Sequence, residues 1–226
     1  MKLIVASKRY SSWSLRPWLA LRVAGVPFDE EVVLLRQPDT KAQILRRSPS
    51  GFLPALQDGD LTVWDSLAII EHVAGRFPEA GLWPEDGKAR AFARSIAAEM
   101  HAGFQPLRMA CPMNVGVRFA ARDRGPAVAA AVARITDIWR EARARYGEGG
   151  PFLFGRFTAA DAMYAPVALR VDGYSIAVDP VSRAWIDAVL ALPAMQEWRA
   201  AGLKEPAVAD YDDLADETPV ERFRPA

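Results

Sequence analysis

The spacing of apolar residues changes once along this 226-residue chain, at a short segment, 78–84, that holds two prolines and a glycine. Before that segment, apolar runs with the spacing of strands alternate with stretches that have the spacing of helices, in the order βαβαββα. After it, almost every periodic stretch has helical spacing. This pattern predicts an α/β domain over residues 1–79, followed by an all-α, helical-bundle domain over residues 87–226.

The individual elements follow from the same spacing. Strands are predicted over residues 2–6, 31–35, 54–57 and 61–64. Helices are predicted over residues 11–25, 41–47 and 65–77, and then over 87–109, 127–146, 159–171, 181–190 and 194–203. Asp58-Gly59-Asp60 predicts a tight hairpin turn between the last two strands, because Asp-Gly tolerates positive φ. The stretch from residue 205 to 226 has few apolar residues, and we expect it to wrap the surface or to fray.

Charge and cysteine content exclude several classes of protein. The chain has 28 basic and 28 acidic residues, so it has no general positive field for nucleic acid or anionic membrane, and a small neutral or zwitterionic ligand suits it better. Cys111 is the only cysteine, which excludes an internal disulfide and predicts a reducing, cytoplasmic setting; we interpret it as a small packed side chain. No apolar run approaches the ~18 residues of a membrane helix, and no Cys/His spacing is typical of a metal site.

Three serines lie where the first predicted strand passes into the first predicted helix, in Ser11-Ser12-Trp13-Ser14. The free N–H groups and the positive dipole end of a helix N-terminus stabilise an anion, and a serine hydroxyl can donate a hydrogen bond to it. A thiolate is one such anion. The alternative is that one of these serines only caps the helix, with Pro17 in the first turn.

Two further junctions carry candidate binding residues. A cis Leu53-Pro54 bond would turn the Leu53 backbone outward, where its N–H and C=O can pair with a peptide-like ligand; the alternative is an ordinary trans proline at the start of a strand. Asp65 and Ser66 fall where a strand runs into a helix. There Ser66 could hold a carboxylate while Asp65 takes an ammonium group, or the pair could act as a helix cap alone.

These motifs together show a family resemblance. The N-terminal half resembles the thioredoxin-like domain of cytosolic glutathione transferases, and Ser11-Ser12-Trp13-Ser14-Leu15-Arg16 is similar to the Ser-Ser-Cys-Ser-x-Arg motif of the zeta class. Pro54 matches that family's cis-proline, and Asp65-Ser66 matches its γ-glutamyl-binding pair. Phe157-Thr158-Ala159-Ala160-Asp161 is similar to the family's capping box in the second domain.

The resemblance implies a role for each matching residue. Ser11, five residues before the helix arginine, occupies the position of the thiol-activating serine, with Ser12 as the close alternative. Leu53 would pair its backbone with the cysteinyl part of glutathione, next to Pro54, and Asp65 and Ser66 would hold the γ-glutamyl end. The nucleophile would be the sulfur of glutathione, and the fold implies a homodimer.

Two departures from the zeta motif limit what it implies. Trp13 replaces the cysteine of the motif, and Asp65 stands where that class usually has glutamine, so we do not predict maleylacetoacetate isomerisation. The thiol-activating position holds neither cysteine nor tyrosine, which argues against the glutaredoxin-like chemistry of the omega and beta classes.

The second substrate is expected between the two domains. Trp13, His101, Phe104 and Arg108 are candidates to line that pocket, although the helical spacing of methionine and phenylalanine there is also typical of simple core packing. The favoured function is a glutathione transferase that adds the thiolate to a small hydrophobic electrophile, a detoxification activity. The alternatives are a glutathione-dependent isomerase or peroxidase, and a non-catalytic module that binds a ligand or a protein; a serine hydrolase is less well supported, since neither histidine lies in a triad pattern.

Overall fold

The computed structural model describes residues 1–225, and it begins with a four-stranded mixed sheet. The strands are β1 (Lys2–Ala6), β2 (Asp29–Val33), β3 (Ala55–Asp58) and β4 (Leu61–Val63). Their order in the sheet is β2-β1-β3-β4, with β1 parallel to β2 and antiparallel to β3, and β4 antiparallel to β3. The predicted hairpin is confirmed, since Asp58 pairs with Leu61 across the turn.

Three helices pack on the two faces of this sheet: α1 (Ser12–Val23), α2 (Thr40–Leu45) and α3 (Ser66–Arg76). The alternation of β1 side chains decides which face each helix covers. Leu3 and Val5 are buried in the main core with residues of α1 and α3, whereas Ile4 is buried in a second cluster with Ile44 of α2. The predicted βαβαββα order is therefore confirmed.

The rest of the chain is mainly helical. Its helices are α4 (Gly87–Ala102), α5 (Gln105–Ala110), α6 (Pro126–Tyr146), α7 (Ala159–Gly173), α8 (Pro180–Leu190), α9 (Pro193–Lys204) and α10 (Ala209–Asp212). None of the helices among residues 1–225 is long and apolar enough to cross a membrane. Buried residues of both halves form one continuous core, in which Trp18 of α1 contacts Trp198 of α9 edge to face at 5.1 Å between ring centroids.

The capping box at the start of α7 is confirmed. The Asp161 carboxylate, fully buried, accepts hydrogen bonds from the backbone and hydroxyl of Thr158 at 2.8 and 3.0 Å. It also accepts from the Leu153 N–H and the Trp185 indole. Because α7 is buried along almost its whole length, this cap fixes the central helix of the second half.

The structure differs from the sequence prediction at three places. The single helix predicted over residues 87–109 is broken, because Phe104 has a left-handed φ of 59° and Pro106, in the first turn of α5, has no N–H to donate. A two-stranded antiparallel sheet, β5 (Val117–Phe119) with β6 (Pro219–Arg222), was not predicted. The final stretch does more than wrap or fray, since Asp212 is 4% exposed.

Candidate functional site

Ser11 holds the start of α1 in place. Its hydroxyl oxygen caps the helix by accepting from the Ser14 N–H at 3.3 Å, and its hydroxyl donates to the Ser14 Oγ at 2.9 Å. Ser14 Oγ in turn accepts from the Ala6 N–H at the end of β1, at 2.9 Å. The Ser11 hydroxyl proton is therefore already used inside the protein.

Ser12 has a different environment. Its Oγ accepts a hydrogen bond from Nη2 of Arg170 at 3.3 Å, and Arg170 is itself held by the carbonyl oxygens of Cys111 at 2.8 Å and Pro166 at 3.3 Å. Among residues 1–225 the Ser12 hydroxyl proton has no acceptor. The Ser12 hydroxyl can thus donate to a ligand, at a helix N-terminus and next to a cationic group. The Ser14 hydroxyl also has no acceptor among residues 1–225, but Ser14 is fully buried.

The Leu53-Pro54 junction lies beside this loop. The Leu53-Pro54 peptide bond is cis, as is Trp64-Asp65. Within the described chain neither the N–H nor the C=O of Leu53 has a hydrogen-bond partner. A cavity of about 350 Å³ opens here, and its walls are Trp13, Ser50, Phe52, Leu53, Pro54, Trp64 and Asp65. The backbone of Leu53 is therefore available to a ligand in a pocket that also contains Trp13 and Asp65.

Asp65 and Ser66 lie at the N-terminus of α3. Asp65 caps this helix, with Oδ1 accepting from the Leu67 N–H at 3.2 Å, while its Oδ2 is 3.1 Å from Nε2 of His101. Ser66 is fully buried, and its hydroxyl has no partner among the residues that the structure describes. The capping alternative is thus observed for Asp65, yet its half-exposed carboxylate can still meet an ammonium group.

The candidates for the electrophile pocket fall into two groups. Trp13, His101 and Arg108 come together: the Trp13 and His101 rings meet edge to face at 5.3 Å, and the Arg108 guanidinium lies 4.4 Å from the centre of the Trp13 ring. Phe104 precedes α5 and is packed partly against the main core. Its carbonyl oxygen accepts from the Arg108 N–H at 3.1 Å, so Phe104 lies one helical turn from a member of the Trp13 cluster.

Positive charge is concentrated behind Trp13. The Arg16 guanidinium lies 4.2 Å from the centre of the Trp13 ring, and the negative charge of Asp65 acts on it. Burial, reinforced by the charges of Arg108 and Arg170, lowers the pKa of Arg16 to about 9. Burial, together with Arg108, likewise lowers the pKa of Arg170 to about 10. All three side chains stay protonated at neutral pH, so the site has a strongly positive wall.

The Cys111 side chain does not line this cavity. It is fully buried, and burial raises the pKa of its thiol to about 11, so the thiolate form is rare at neutral pH. Its interpretation as a packed side chain is confirmed. Among residues 1–225 no group of three or more His, Cys, Asp or Glu side chains is arranged to hold a metal ion.

Sequence reasoning did not name several residues of the site, among them Ser50, Phe52, Trp64 and Arg170. Phe52 and Trp64 line the cavity and are 76% and 45% exposed, and their position beside Pro54 and Asp65 could have indicated this. Arg170 had no such signal, because it is 158 residues away from Ser12 in the sequence.

The fold is that of the glutathione S-transferases. Two family models match the chain, the glutathione S-transferase N-terminal domain over residues 10–76 and the glutathione S-transferase C-terminal domain over residues 125–201. The chain belongs to the glutathione S-transferase family.

Individual relatives agree with this assignment. The chain is 32% identical over 115 residues to glutathione S-transferase 1 of Dianthus caryophyllus, covering 50% of this chain and 51% of that protein. It is 32% identical over 97 residues to a probable maleylacetoacetate isomerase of Caenorhabditis elegans, covering 43% and 45%. The chain thus spans about half the length of the curated relatives it matches. A solved maleyl pyruvate isomerase, described as a bacterial zeta-class glutathione S-transferase, shares the fold with a TM-score of 0.69 at 24% identity, covering 89% of this chain and 98% of that one.

Proposed function

We propose that this protein is a glutathione transferase that binds glutathione, converts its thiol to the thiolate and adds it to a small hydrophobic electrophile. The observation that carries the proposal is Ser12, whose free hydroxyl proton lies at the N-terminus of α1 while its oxygen accepts from the buried Arg170. A free thiol has a pKa of about 8.5, so a hydrogen bond and positive charge at this point would favour the thiolate.

The remaining residues of the pocket would bind the rest of glutathione. The N–H and C=O of Leu53 are free to pair with the cysteinyl backbone, next to Pro54. The Asp65 carboxylate would take the γ-glutamyl ammonium group, and the N-terminus of α3 at Ser66 would take the γ-glutamyl carboxylate. Ser11, which the family motif indicates as the activating residue, would position Ser12 through its link to Ser14.

The reaction follows from these contacts. The thiol proton of glutathione leaves to solvent as the Ser12 hydroxyl donates to the sulfur. The sulfur electron pair then forms a bond to the electrophilic carbon, and the leaving group departs with the electron pair of the bond that breaks; in an addition, the neighbouring carbon takes a proton instead.

We further propose that residues 1–79 form the glutathione-binding domain and residues 87–226 the domain that shapes the electrophile site, in a cytoplasmic homodimer with a detoxification role.

A glutathione-dependent isomerase is the second candidate, because a probable maleylacetoacetate isomerase is among the relatives. In that reaction the same thiolate adds to a double bond and is released again, so glutathione is not consumed. Measuring glutathione before and after turnover separates the two functions.

Calorimetric titration with glutathione tests the proposal, followed by the ultraviolet difference spectrum of the bound thiolate against pH. We expect binding and a bound thiol pKa below its value in free glutathione. Asp65→Ala should weaken binding, whereas Asp86→Ala, which removes the same kind of helix cap from α4, should not. A protein that does not bind glutathione would contradict the proposed function.

A further inference from the structure

A single carboxylate from the second half of the chain holds the loop between β1 and α1. Glu205, the residue that follows α9, accepts hydrogen bonds from two consecutive backbone N–H groups: its Oε1 from Lys8 at 2.8 Å and its Oε2 from Arg9 at 3.1 Å. Hydrogen bonds from backbone N–H groups to an ionised carboxylate are stronger than those between neutral groups. Because Arg9 is three residues before Ser12, this contact acts on the segment that leads into the candidate site.

Pairing of opposite charges does not account for this contact. The Lys8 ammonium lies 2.7 Å from Glu30. The Arg9 guanidinium lies 2.9 Å from Asp212. Glu205 forms no salt bridge with any residue that the structure describes, and burial raises the pKa of its carboxyl group, against the opposing effect of the two N–H groups and of the charges of Lys8 and Arg9. A carboxylate that loses water is costly unless hydrogen bonds compensate, so both Glu205 oxygens are used to fix the main chain.

Short-range hydrogen bonds connect the held part of the loop to Ser12. The Ser7 carbonyl oxygen accepts from the N–H groups of Tyr10 at 3.2 Å and Ser11 at 2.8 Å, and the Tyr10 carbonyl oxygen accepts from the Ser12 N–H at 3.1 Å. Residues 7–12 therefore form one compact turn. The Ser12 hydroxyl is 3.3 Å from Arg170, at the long end of hydrogen-bond distances, so a small displacement of the turn would break this contact.

We propose that Glu205 is a positioning residue for thiol activation: by holding the Lys8 and Arg9 N–H groups, it keeps the Ser12 hydroxyl where it can donate to the glutathione sulfur. This inference rests on the proposed function, which it makes more specific. A group that contacts the reacting atom works well only if its neighbours hold it in place. Glu205 lies outside both residue ranges that the family models match, so it is a feature of this chain that those models do not include.

The thiol pKa of bound glutathione, measured as thiolate absorbance against pH on the full-length protein, tests the proposal. Glu205→Gln keeps the length of the side chain but turns an amide donor toward a backbone donor. Glu205→Asp keeps the charge but is too short to reach both N–H groups. We expect each variant to raise the thiol pKa by about 0.5–1 pH unit, because Ser12 then donates less well. Glu197→Gln, which removes an exposed acid of α9 paired with Arg22, should leave the thiol pKa unchanged.

Calorimetric titration with glutathione at two pH values separates positioning from general support of the fold. At about pH 8, both Glu205 variants should bind glutathione about threefold to tenfold more weakly than the wild-type protein, because the bound thiolate is less stabilised. At about pH 5, the thiol is mainly protonated whether free or bound, and the Kd of both variants should lie within about twofold of the wild-type value. An unchanged Kd at the lower pH also shows that the variants are folded.

The outcomes separate this inference from the proposed function. If the wild-type protein lowers the thiol pKa of glutathione and both Glu205 variants do so equally, Glu205 does not position Ser12 and the proposed function stands. If Glu205→Gln lowers the thiol pKa and Glu205→Asp leaves it unchanged, Glu205 acts through its charge alone and the inference is again wrong. Equal weakening of binding at both pH values would mean that Glu205 supports the fold and not thiol activation. If the wild-type protein does not bind glutathione, the proposed function is wrong and this inference fails with it.

Discussion

The two neighbouring serines at the start of α1 make different hydrogen bonds. Ser11 uses its oxygen to cap the helix and its proton to bind Ser14, whereas Ser12 keeps its proton free and accepts from Arg170. A hydroxyl that accepts from a cation becomes a better donor, because the two hydrogen bonds polarise each other. We therefore expect Ser12 to donate a hydrogen bond to the glutathione sulfur and Ser11 to stabilise the N-terminus of α1.

Replacement of Ser12 and replacement of Ser11 by alanine should change different properties of the protein. Ser12→Ala should raise the thiol pKa of bound glutathione by about one to two pH units and lower kcat at neutral pH about tenfold or more, because a hydrogen bond to a charged group contributes ~1.5–3 kcal/mol. Ser11→Ala should leave that pKa nearly unchanged and lower the free energy of unfolding by about 1 kcal/mol, the usual effect of losing a cap. Thiolate absorbance against pH and denaturant unfolding measure the two effects. If Ser11→Ala raises the thiol pKa and Ser12→Ala does not, then Ser11 is the activating residue.

These residues could be predicted because they lie where a strand passes into a helix, and the local sequence pattern marks such a junction. A strand followed by helical spacing places Ser11, Ser12, Asp65 and Ser66 at helix N-termini without any knowledge of tertiary structure. It could not tell which serine keeps its proton, since that depends on Arg170, far away in the chain. The positive wall was only partly predicted. Arg108 was named as a pocket residue, but Arg16 was visible only as part of a motif, and Arg170 lies far along the chain in α7.

At the scale of elements, the C-terminal segment fastens the loop that precedes α1. The Glu205 carboxylate accepts from the backbone N–H groups of Lys8 at 2.8 Å and Arg9 at 3.1 Å. Asp212, in α10, binds the Arg9 guanidinium at 2.9 Å and the Tyr10 hydroxyl at 3.1 Å. These contacts fix the three residues before Ser11, so the tail is part of the support of the candidate site.

Removing the buried carboxylate should therefore destabilise the protein strongly. Asp212→Ala leaves the Arg9 charge buried without its partner, and we expect the free energy of unfolding to fall by about 3–5 kcal/mol. Asp213→Ala is the matched control, because Asp213 is exposed and pairs only with the exposed Arg222, so its loss should change the free energy by less than about 1 kcal/mol. Urea unfolding of both variants makes the comparison. Equal effects would mean that the tail does not hold the loop.

Elements with strong periodicity were predictable to within a few residues, and those that depend on distant partners were not. The predicted helix over residues 127–146 is observed as Pro126–Tyr146, because an amphipathic repeat of that length is a local signal. Strand β5 is three residues long and pairs with a strand about 100 residues further on, so its own sequence carries almost no signal. The tail was misjudged because its contacts are made by a few polar side chains, which composition alone does not distinguish from solvent-exposed ones.

At the scale of the whole molecule, the two halves are joined by close backbone approach as well as by side chains. Helix α1 packs against α7, and α9 lies against the loop before α1. Gly202 makes that last contact possible: a Cβ at this position would lie 2.9 Å from the Arg9 nitrogen and 3.0 Å from the Lys8 carbonyl carbon. The same loop leads into the serines of the candidate site, so the packing of the second half determines how the first half presents its site.

Two identical substitutions should therefore have opposite effects on stability. Gly202→Ala forces α9 away from the loop, and we expect it to lower the free energy of unfolding by about 1–3 kcal/mol and to weaken glutathione binding as well. Gly75→Ala, in the exposed last turn of α3, meets no atom within 4 Å and should raise the free energy by about 0.5 kcal/mol, since alanine loses less chain entropy in a helix. Thermal unfolding and calorimetric glutathione titration of both variants provide the measurement. A displaced loop would change stability and glutathione binding together. If Gly202→Ala lowers stability but leaves glutathione binding intact, the packing of α9 therefore does not determine the geometry of the site.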